Sequence, residues 1–182
     1  LKTPTFMNDG SWSSSQKVAF SATWRREGMS RWGGPLVEPQ LRAELDAVEK
    51  IVSQAMGTPV HVWAVKDTST AHAIALPDGT LVVTVGLLDA LHDEAQLVAI
   101  LAHVAAHVSL GHLDGVLSQD PALSAQARRV LDHGGPSAPV LQMFERLVAT
   151  TFDDAREAQA NEAAQRALQS AGLDARALVD AR

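Results

Sequence analysis

The segment that begins at Pro39 has the hydrophobic pattern of an amphipathic helix. Its apolar residues recur at positions i, i+4, i+7 and i+11, namely Leu41, Leu45, Val48 and Val52. Residues with this spacing lie on one face of a helix. Gly57 and Pro59 follow the last of them and predict where the helix ends.

Two short stretches after this helix predict a small β-sheet. Residues 59–66 are rich in β-branched side chains and predict a strand. Residues 71–76 and 81–85 predict a hairpin, because the intervening Pro77 fits position i+1 of a turn and Gly79 fits position i+3. We therefore expect one strand and one hairpin beside each other in a sheet.

The stretch from Asp93 to Gly111 predicts a helix that is apolar around most of its circumference. Asp93 can cap the free amides of the first turn, and Gly111 can close the last turn. A helix with so little polar surface is expected at the centre of the protein. His103 and His107 lie four residues apart on this helix, so both imidazoles share one face and can bind the same zinc ion.

The second half of the chain predicts further helices from their start and stop signals. An Asp-Pro start and a Gly-Gly stop bound a helix over residues 120–135, and a Ser and a Pro open another over residues 137–147. Residues 154–171 predict an alanine-rich helix that Gly172 stops. Asp174 is expected to cap a short last helix.

Residues 1–35 show neither the period of a strand nor that of a helix, and they are rich in Ser and Gly. We expect them to form an N-terminal extension to a domain that covers residues 36–182. They nevertheless contain five of the eight large aromatic residues of the chain, Phe6, Trp12, Phe20, Trp24 and Trp32. Such a segment is too apolar for a solvated linker. It is expected to pack on its own domain, with a homo-oligomer formed through this arm as the alternative.

The composition excludes several classes of protein. A formal net charge of -6 argues against nucleic-acid binding, which needs clustered Lys and Arg. No apolar run approaches the roughly 20 residues of a membrane span. There is no cysteine, so His, Asp or Glu must hold any metal. The chain begins at Leu1 rather than Met, and we expect a mature or truncated form.

A catalytic zinc site with two histidines from one helix needs a third ligand and an open fourth position. Glu157, on the alanine-rich helix, is the best candidate. Its small neighbours Ala155, Ala158 and Ala160 are expected to let this helix approach the first one closely. Two other interpretations stay open: Glu157 as an exposed carboxylate on a charged helix face, and the two histidines as core residues that bind no metal.

The motifs and their order resemble those of the HtpX-type and CAAX prenyl protease family of gluzincin zinc metallopeptidases. The matching motifs are the hairpin with Ala73, Pro77 and Gly79, then Gly86-Leu87-Leu88, the helix motif His103-Val-Ala-Ala-His107 with His112, the stretch Glu157-Ala-Gln-Ala-Asn161, and Ala171-Gly172-Leu173-Asp174. The match covers residues 40–178 in order. The resemblance implies a zincin-like fold in which His103, His107 and Glu157 bind zinc.

Val104 is the main departure from the pattern of this family. The family has a glutamate here, which takes a proton from the zinc-bound water and passes it to the leaving amine. Valine has no ionisable atom, and the loss of such a base costs about 10²–10⁴-fold in rate. Zinc alone can still lower the pKa of its water to about 7. The resemblance therefore predicts a catalytically impaired member of the family.

Other positions near the predicted site also depart from the family. Asn161 replaces an aspartate of the outer shell, and a loss of that kind costs about 10–100-fold in metal affinity or activity. His72 replaces a hairpin asparagine, so His72 and Ala73 are expected at the substrate cleft. The chain has no tyrosine to stabilise an oxyanion. His133 is the candidate replacement, with a solvated loop histidine as the alternative. His112 is expected to contact the last carbonyls of the helix rather than the metal.

These observations predict an α+β protein with a zincin-like fold, in which a small sheet with a hairpin packs on the central His-bearing helix and a second helix carries Glu157. The predicted function is that of a pseudopeptidase that binds zinc and an extended peptide or protein segment by strand addition. Two alternatives are an active zinc endopeptidase in which Asp93, Glu94 or Asp154 reaches the water, and a metal-free protein-interaction module. Soluble relatives imply a periplasmic or secreted location.

Overall fold

The computed structural model describes residues 12–175, without the side chains of residues 119 and 149–151. Within this range the protein is rich in helix and has one three-stranded sheet, so the predicted α+β class is confirmed. The elements are α1 (Ser14–Thr23), a π-helical turn (Trp24–Gly28), α2 (Met29–Arg31), α3 (Pro39–Met56), β1 (His61–Val65), β2 (Ala73–Ala75), β3 (Thr80–Thr84), α4 (Val85–Ala90), α5 (Glu94–Ser109), α6 (His112–Gln119), α7 (Pro121–His133), α8 (Ala138–Thr151) and α9 (Asp154–Ser170).

The sheet has the strand order β1-β3-β2. β1 runs parallel to β3, and β2 runs antiparallel to it, so the predicted strand and hairpin are confirmed. Gly79 closes the hairpin turn with a φ of 89°, a value that glycine adopts without strain, and its amide donates to the carbonyl of Leu76 over 3.0 Å. This topology leaves β2 at one edge of the sheet and β1 at the other.

The outer edge of β1 is covered by other parts of the chain. Arg42 on α3 donates to the carbonyl of Val62 over 2.6 Å, and Glu49 on the same helix accepts from the amide of Val62 over 3.0 Å. The amide of Leu36 donates to the carbonyl of Ala64 over 2.9 Å. Side chains of α3 and the segment before it therefore occupy positions at which another strand would pair.

α5 is the central helix, as its apolar circumference predicts. Asp93 caps its start by accepting from the amide of Gln96 over 2.9 Å. α9 packs along α5. The residues of the two helices that have no exposed surface are mostly small, namely Ala99, Leu101, Ala102, Ala106, Ala160 and Ala164. Of the three alanines expected at this contact, Ala160 is buried, whereas Ala155 and Ala158 are exposed. Small side chains on both helices allow a close approach.

Residues 14–31 are helical, although residues 1–35 show no helical period in the sequence. Ser13 and Gln16 form a capping box that starts α1. Phe20, Trp24 and Met29 are buried in the core. Trp24 and Met29 are five residues apart, and this spacing does not fit the period of an α-helix. The π-helical turn between them places both side chains on the buried side. Residues before Trp12, including Phe6, lie outside the described range.

The other helices of the second half of the chain follow the predicted start and stop signals in α7, α8 and α9. α4 and α6 were not predicted. The last helix predicted after Asp174 lies outside the described residues. Among residues 12–175, no single helix is long and apolar enough to cross a membrane. α5 reaches that length and hydropathy only when it is joined to His112–Ser118, and the two helices are bent by 52° relative to each other.

Candidate metal centre

α5 and α9 bring the side chains of His103, His107 and Glu157 together. The Nε2 atoms of the two histidines are 3.3 Å apart. Oε2 of Glu157 is 3.3 Å from Nε2 of His103, and its Oε1 is 3.3 Å from Nε2 of His107. Tetrahedral zinc with bonds of about 2.0–2.1 Å has ligand atoms about 3.3 Å apart. The three side chains therefore have the spacing and the donor chemistry of a zinc site.

The environment of His107 favours the neutral imidazole. Its side chain is only 5% exposed. Burial lowers the pKa of His107 to about 3, and charge repulsion from His103 and His112 acts in the same direction. A metal binds the neutral imidazole through its lone pair, so the buried ring is in the form that ligation requires.

Glu157 closes the third side of this group from α9. Its side chain is 38% exposed, and both of its oxygens face imidazole nitrogens. The interpretation of Glu157 as a carboxylate on a charged, solvated helix face does not match this arrangement. The structure thus brings the three predicted ligands together, and it does so from two helices that are far apart in the sequence.

His112 contacts His107 rather than the last carbonyls of α5. Gly111 adopts a φ of 72° between α5 and α6, and His112 therefore begins the next helix. Its Nδ1 lies 3.0 Å from Nδ1 of His107, and its Nε2 lies 3.1 Å from Oε1 of Gln159. Gln159 was not predicted at this site, although it stands two residues after a predicted ligand, and the predicted contact of His112 with the last carbonyls is wrong.

Phe152 is a second residue that the sequence analysis missed. It stands between α8 and α9, and its ring stacks on that of His107. No periodicity or motif pointed to this position, because Phe152 lies outside every predicted helix. The aromatic ring covers one face of the His107 imidazole.

A cleft of 690 Å³ opens beside the three predicted ligands. Val104, His72 and Ala73 line it, and their predicted roles at a catalytic position and at a substrate cleft stay predictions. One wall of the cleft is β2, and another comes from α8. Asn161 is half-buried on α9 and does not line the cleft, so its outer-shell role stays a prediction.

The remaining candidates lie elsewhere. Asp93 and Glu94 line a separate pocket of 290 Å³ at the start of α5. Asp154 is exposed at the start of α9, and His133 is exposed at the end of α7. None of the four lines the cleft. The structure does not bring these residues to the predicted metal ligands.

Two carboxylates besides Glu157 line the cleft, and both are engaged by neighbouring side chains. Asp67 accepts hydrogen bonds from Ser69 and Thr70, and these bonds lower its pKa to about 2. Glu145 accepts from Arg31 over 2.5 Å and from Trp24 over 2.9 Å through the same oxygen, Oε1. Burial raises the pKa of Glu145 in spite of Arg31.

The contacts of Glu145 also show that the N-terminal segment is part of this site. Arg31 and Trp24 reach α8 from the segment before residue 35, and Trp32 lines the cleft itself. The aromatic residues that suggested an oligomerisation arm are used within the chain, and oligomer formation stays a prediction.

The sequence was compared with models of known protein families. The model of peptidase family M48 matches residues 35–182. No curated protein matched the chain.

Proposed function

Because the chain belongs to peptidase family M48, whose members are zinc metallopeptidases, we propose that it is an HtpX-type pseudopeptidase with a zincin-like fold. It binds zinc and an extended peptide segment, but it cleaves peptides poorly. The observation that carries this proposal is Val104, a hydrocarbon side chain that lines the cleft next to His103.

The zinc part of the proposal rests on the spacing of His103, His107 and Glu157. The two Nε2 atoms are 3.3 Å apart, and each lies 3.3 Å from a different oxygen of Glu157, which is close to the separation of neighbouring ligand atoms around zinc. When bound there, zinc supplies Lewis-acid activation of water or of a carbonyl group. Two imidazoles and one carboxylate leave a coordination position for such a ligand.

The impaired activity follows from the side chains that face the cleft. Val104 cannot accept or donate a proton. Asp67 is a very weak base, since its hydrogen bonds lower its pKa to about 2, and Glu145 is held by Arg31 and Trp24. Glu157 is used as a ligand. With Val104 in the place of the general base, we expect a rate lower by about 10²–10⁴-fold than that of a complete site.

The peptide part of the proposal rests on the edges of the sheet. β2 pairs with β3 on one side only, and its residues Ala73, Ile74 and Ala75 line the cleft. The outer edge of β1 is occupied by Arg42, Glu49 and the segment before α3. A peptide that adds to this sheet therefore pairs with β2 and passes the zinc ligands.

Metal analysis and a peptidase assay test the first two parts. We expect the wild-type protein to bind zinc and to hydrolyse a quenched peptide library very slowly. Val104→Glu should raise the rate by about 10²-fold or more, and adding Asn161→Asp should raise it further. Val104→Gln is the matched control, because it has the size of glutamate without the base.

Three results would contradict the proposal, each in a different way. A wild-type rate close to that of Val104→Glu would show an active endopeptidase with another base. A zinc-free protein with no zinc affinity would favour the metal-free interaction module. Zinc binding without any rate gain in the double variant would show that the cleft does not accept a substrate in a reactive position.

The binding of peptide segments is tested separately. The probe is a fluorescent peptide of alternating Val and Thr, compared with the same peptide methylated on its backbone nitrogens. Strand addition requires the amide hydrogens of the ligand, so the unmethylated peptide should bind more tightly. Equal binding of the two would exclude pairing with β2.

A further inference from the structure

His112 and Gln159 form a chain of hydrogen bonds that ends on one of the predicted zinc ligands. His112 is only 7% exposed. Its Nδ1 lies 3.0 Å from Nδ1 of His107, and its Nε2 lies 3.1 Å from Oε1 of Gln159. The far nitrogen of His107, Nε2, faces His103 and Glu157. Three side chains from α5, α6 and α9 are thus connected in series.

The position of one proton in this series determines the positions of the others. A nitrogen that gives its lone pair to a metal carries no proton, so the single proton of neutral His107 is on Nδ1. This N–H faces Nδ1 of His112, and it donates a hydrogen bond there because that nitrogen carries no proton and accepts. The proton of His112 is then on Nε2, which donates to the carbonyl oxygen of Gln159. Each nitrogen then has one role, and the oxygen of Gln159 is the acceptor at the end of the series.

We propose that Gln159 and His112 are positioning residues that hold His107 in the tautomer required for zinc binding. This inference rests on the proposed function and adds to it the residues that orient the site. Partners that fix the tautomer of a ligating histidine typically change metal affinity by about 10–100-fold. Neither residue touches the cleft, so neither is a catalytic residue.

The exposure of Gln159 makes a sharp test feasible, because substitutions there leave the core unchanged. Gln159→Glu keeps an acceptor at the end of the series and should retain or tighten zinc binding. Gln159→Lys offers only donors, which favours the opposite tautomer of His112 and places two N–H groups against each other at His107. We expect zinc affinity to fall by about 10-fold in this variant.

Charge is separated from tautomer by a matched pair of controls. Ala158 is an exposed neighbour of Gln159, so Ala158→Glu and Ala158→Lys introduce the same charges near the site. Zinc affinity is measured by competition with a chromophoric chelator at about pH 8, where a free imidazole is neutral. The difference in zinc affinity between the Glu variant and the Lys variant should be much larger at position 159 than at position 158.

A second measurement does not depend on zinc. The ¹⁵N chemical shifts of the imidazole nitrogens are measured in the metal-free protein. They should show that the proton of His107 is on Nδ1 in the wild type and in Gln159→Glu. In Gln159→Lys, the population of this tautomer should decrease. If the wild type binds no zinc, the proposed function fails and these shifts alone decide on the positioning role. Equal effects at positions 158 and 159, with an unchanged tautomer of His107, would overturn the inference.

Discussion

Phe152 stacks on the imidazole of His107 with ring centroids 4.0 Å apart and planes 25° from parallel. This contact covers one face of a predicted zinc ligand, and His112 approaches the same ring from its Nδ1 side. The ring of His107 is therefore fixed in orientation by an aromatic neighbour as well as by a hydrogen bond. Its Nε2 is left as the atom that faces the other ligands.

Replacing Phe152 should therefore weaken both the fold and the metal site. In Phe152→Ala we expect the free energy of unfolding to fall by about 1–2 kcal/mol, because a half-buried aromatic contact is lost. Zinc affinity should fall as well, since water reaches His107. Urea unfolding and zinc titration measure the two effects. Phe152→Leu is the control, because it keeps most of the apolar volume of the side chain. If Phe152→Ala bound zinc as tightly as the wild type, the stacked ring would have no role in the metal site.

Zinc should stabilise the folded protein against heat. A ligand that binds only the folded state adds about 2.7 kcal/mol to the free energy of unfolding at a free concentration of 100 times its Kd. We expect the Tm, measured by differential scanning calorimetry, to rise when zinc is added. It should fall back to the value of the zinc-free protein when a chelator is added. His103→Ala should abolish the shift, whereas the exposed His133→Ala should retain it. An equal shift in both variants would place the zinc elsewhere.

Glu145 should make the stability of the protein depend on pH. Burial raises the pKa of Glu145 above its usual 4.5 although Arg31 is bound to it. Its contribution to stability is therefore complete below pH 4.5 and is lost as the pH rises through the folded-state pKa. Glu145→Gln removes the titration and keeps an acceptor for Trp24.

The measurement is urea unfolding from about pH 4 to pH 7. We expect the difference in unfolding free energy, wild type minus Glu145→Gln, to decrease as the pH rises. The exposed Glu162→Gln serves as the control and should give a difference that changes little. A difference that grows with pH at Glu145 would mean that Arg31 outweighs burial and that the pKa is lowered instead.

Gly86→Ala should disturb the rim of the cleft. A Cβ at this position would lie 2.4 Å from the carbonyl oxygen of Thr70 and 3.1 Å from that of Thr68. Because both neighbours are backbone atoms, the loop that carries Asp67 has to move. We expect a loss of about 1–3 kcal/mol in the free energy of unfolding, measured by urea unfolding. Peptide binding should weaken with it, and an unchanged free energy of unfolding would contradict the tight approach of Gly86 to the Thr70 carbonyl.

Several parts of the fold were predictable because their signals are local. His103 and His107 share a face because they are four residues apart on one helix. The hairpin turn was predictable because Pro77 and Gly79 suit their positions in the turn. The helix over residues 14–31 was missed because the five-residue step from Trp24 to Met29 hides its period.

The parts of the site that were missed depend on contacts between distant segments. His112 reaches His107 only because Gly111 bends the chain between α5 and α6. The pair Arg31–Glu145 joins residues 114 positions apart, and no pattern along the chain indicates it. Phe152 lies between two helices, where periodicity carries no information. The grouping of the three predicted ligands was therefore readable in the sequence, whereas the contacts made around them by distant segments were not.

The covered edge of β1 also bears on how copies of this protein meet one another. An uncovered strand edge is a template for intermolecular pairing and aggregation. With Arg42 and Glu49 bonded to Val62, such pairing is restricted to β2, which has only three residues in the ladder. In the described part of the chain, the sheet edge left for pairing with another copy is therefore only three residues long, which is a poor template for a fibril.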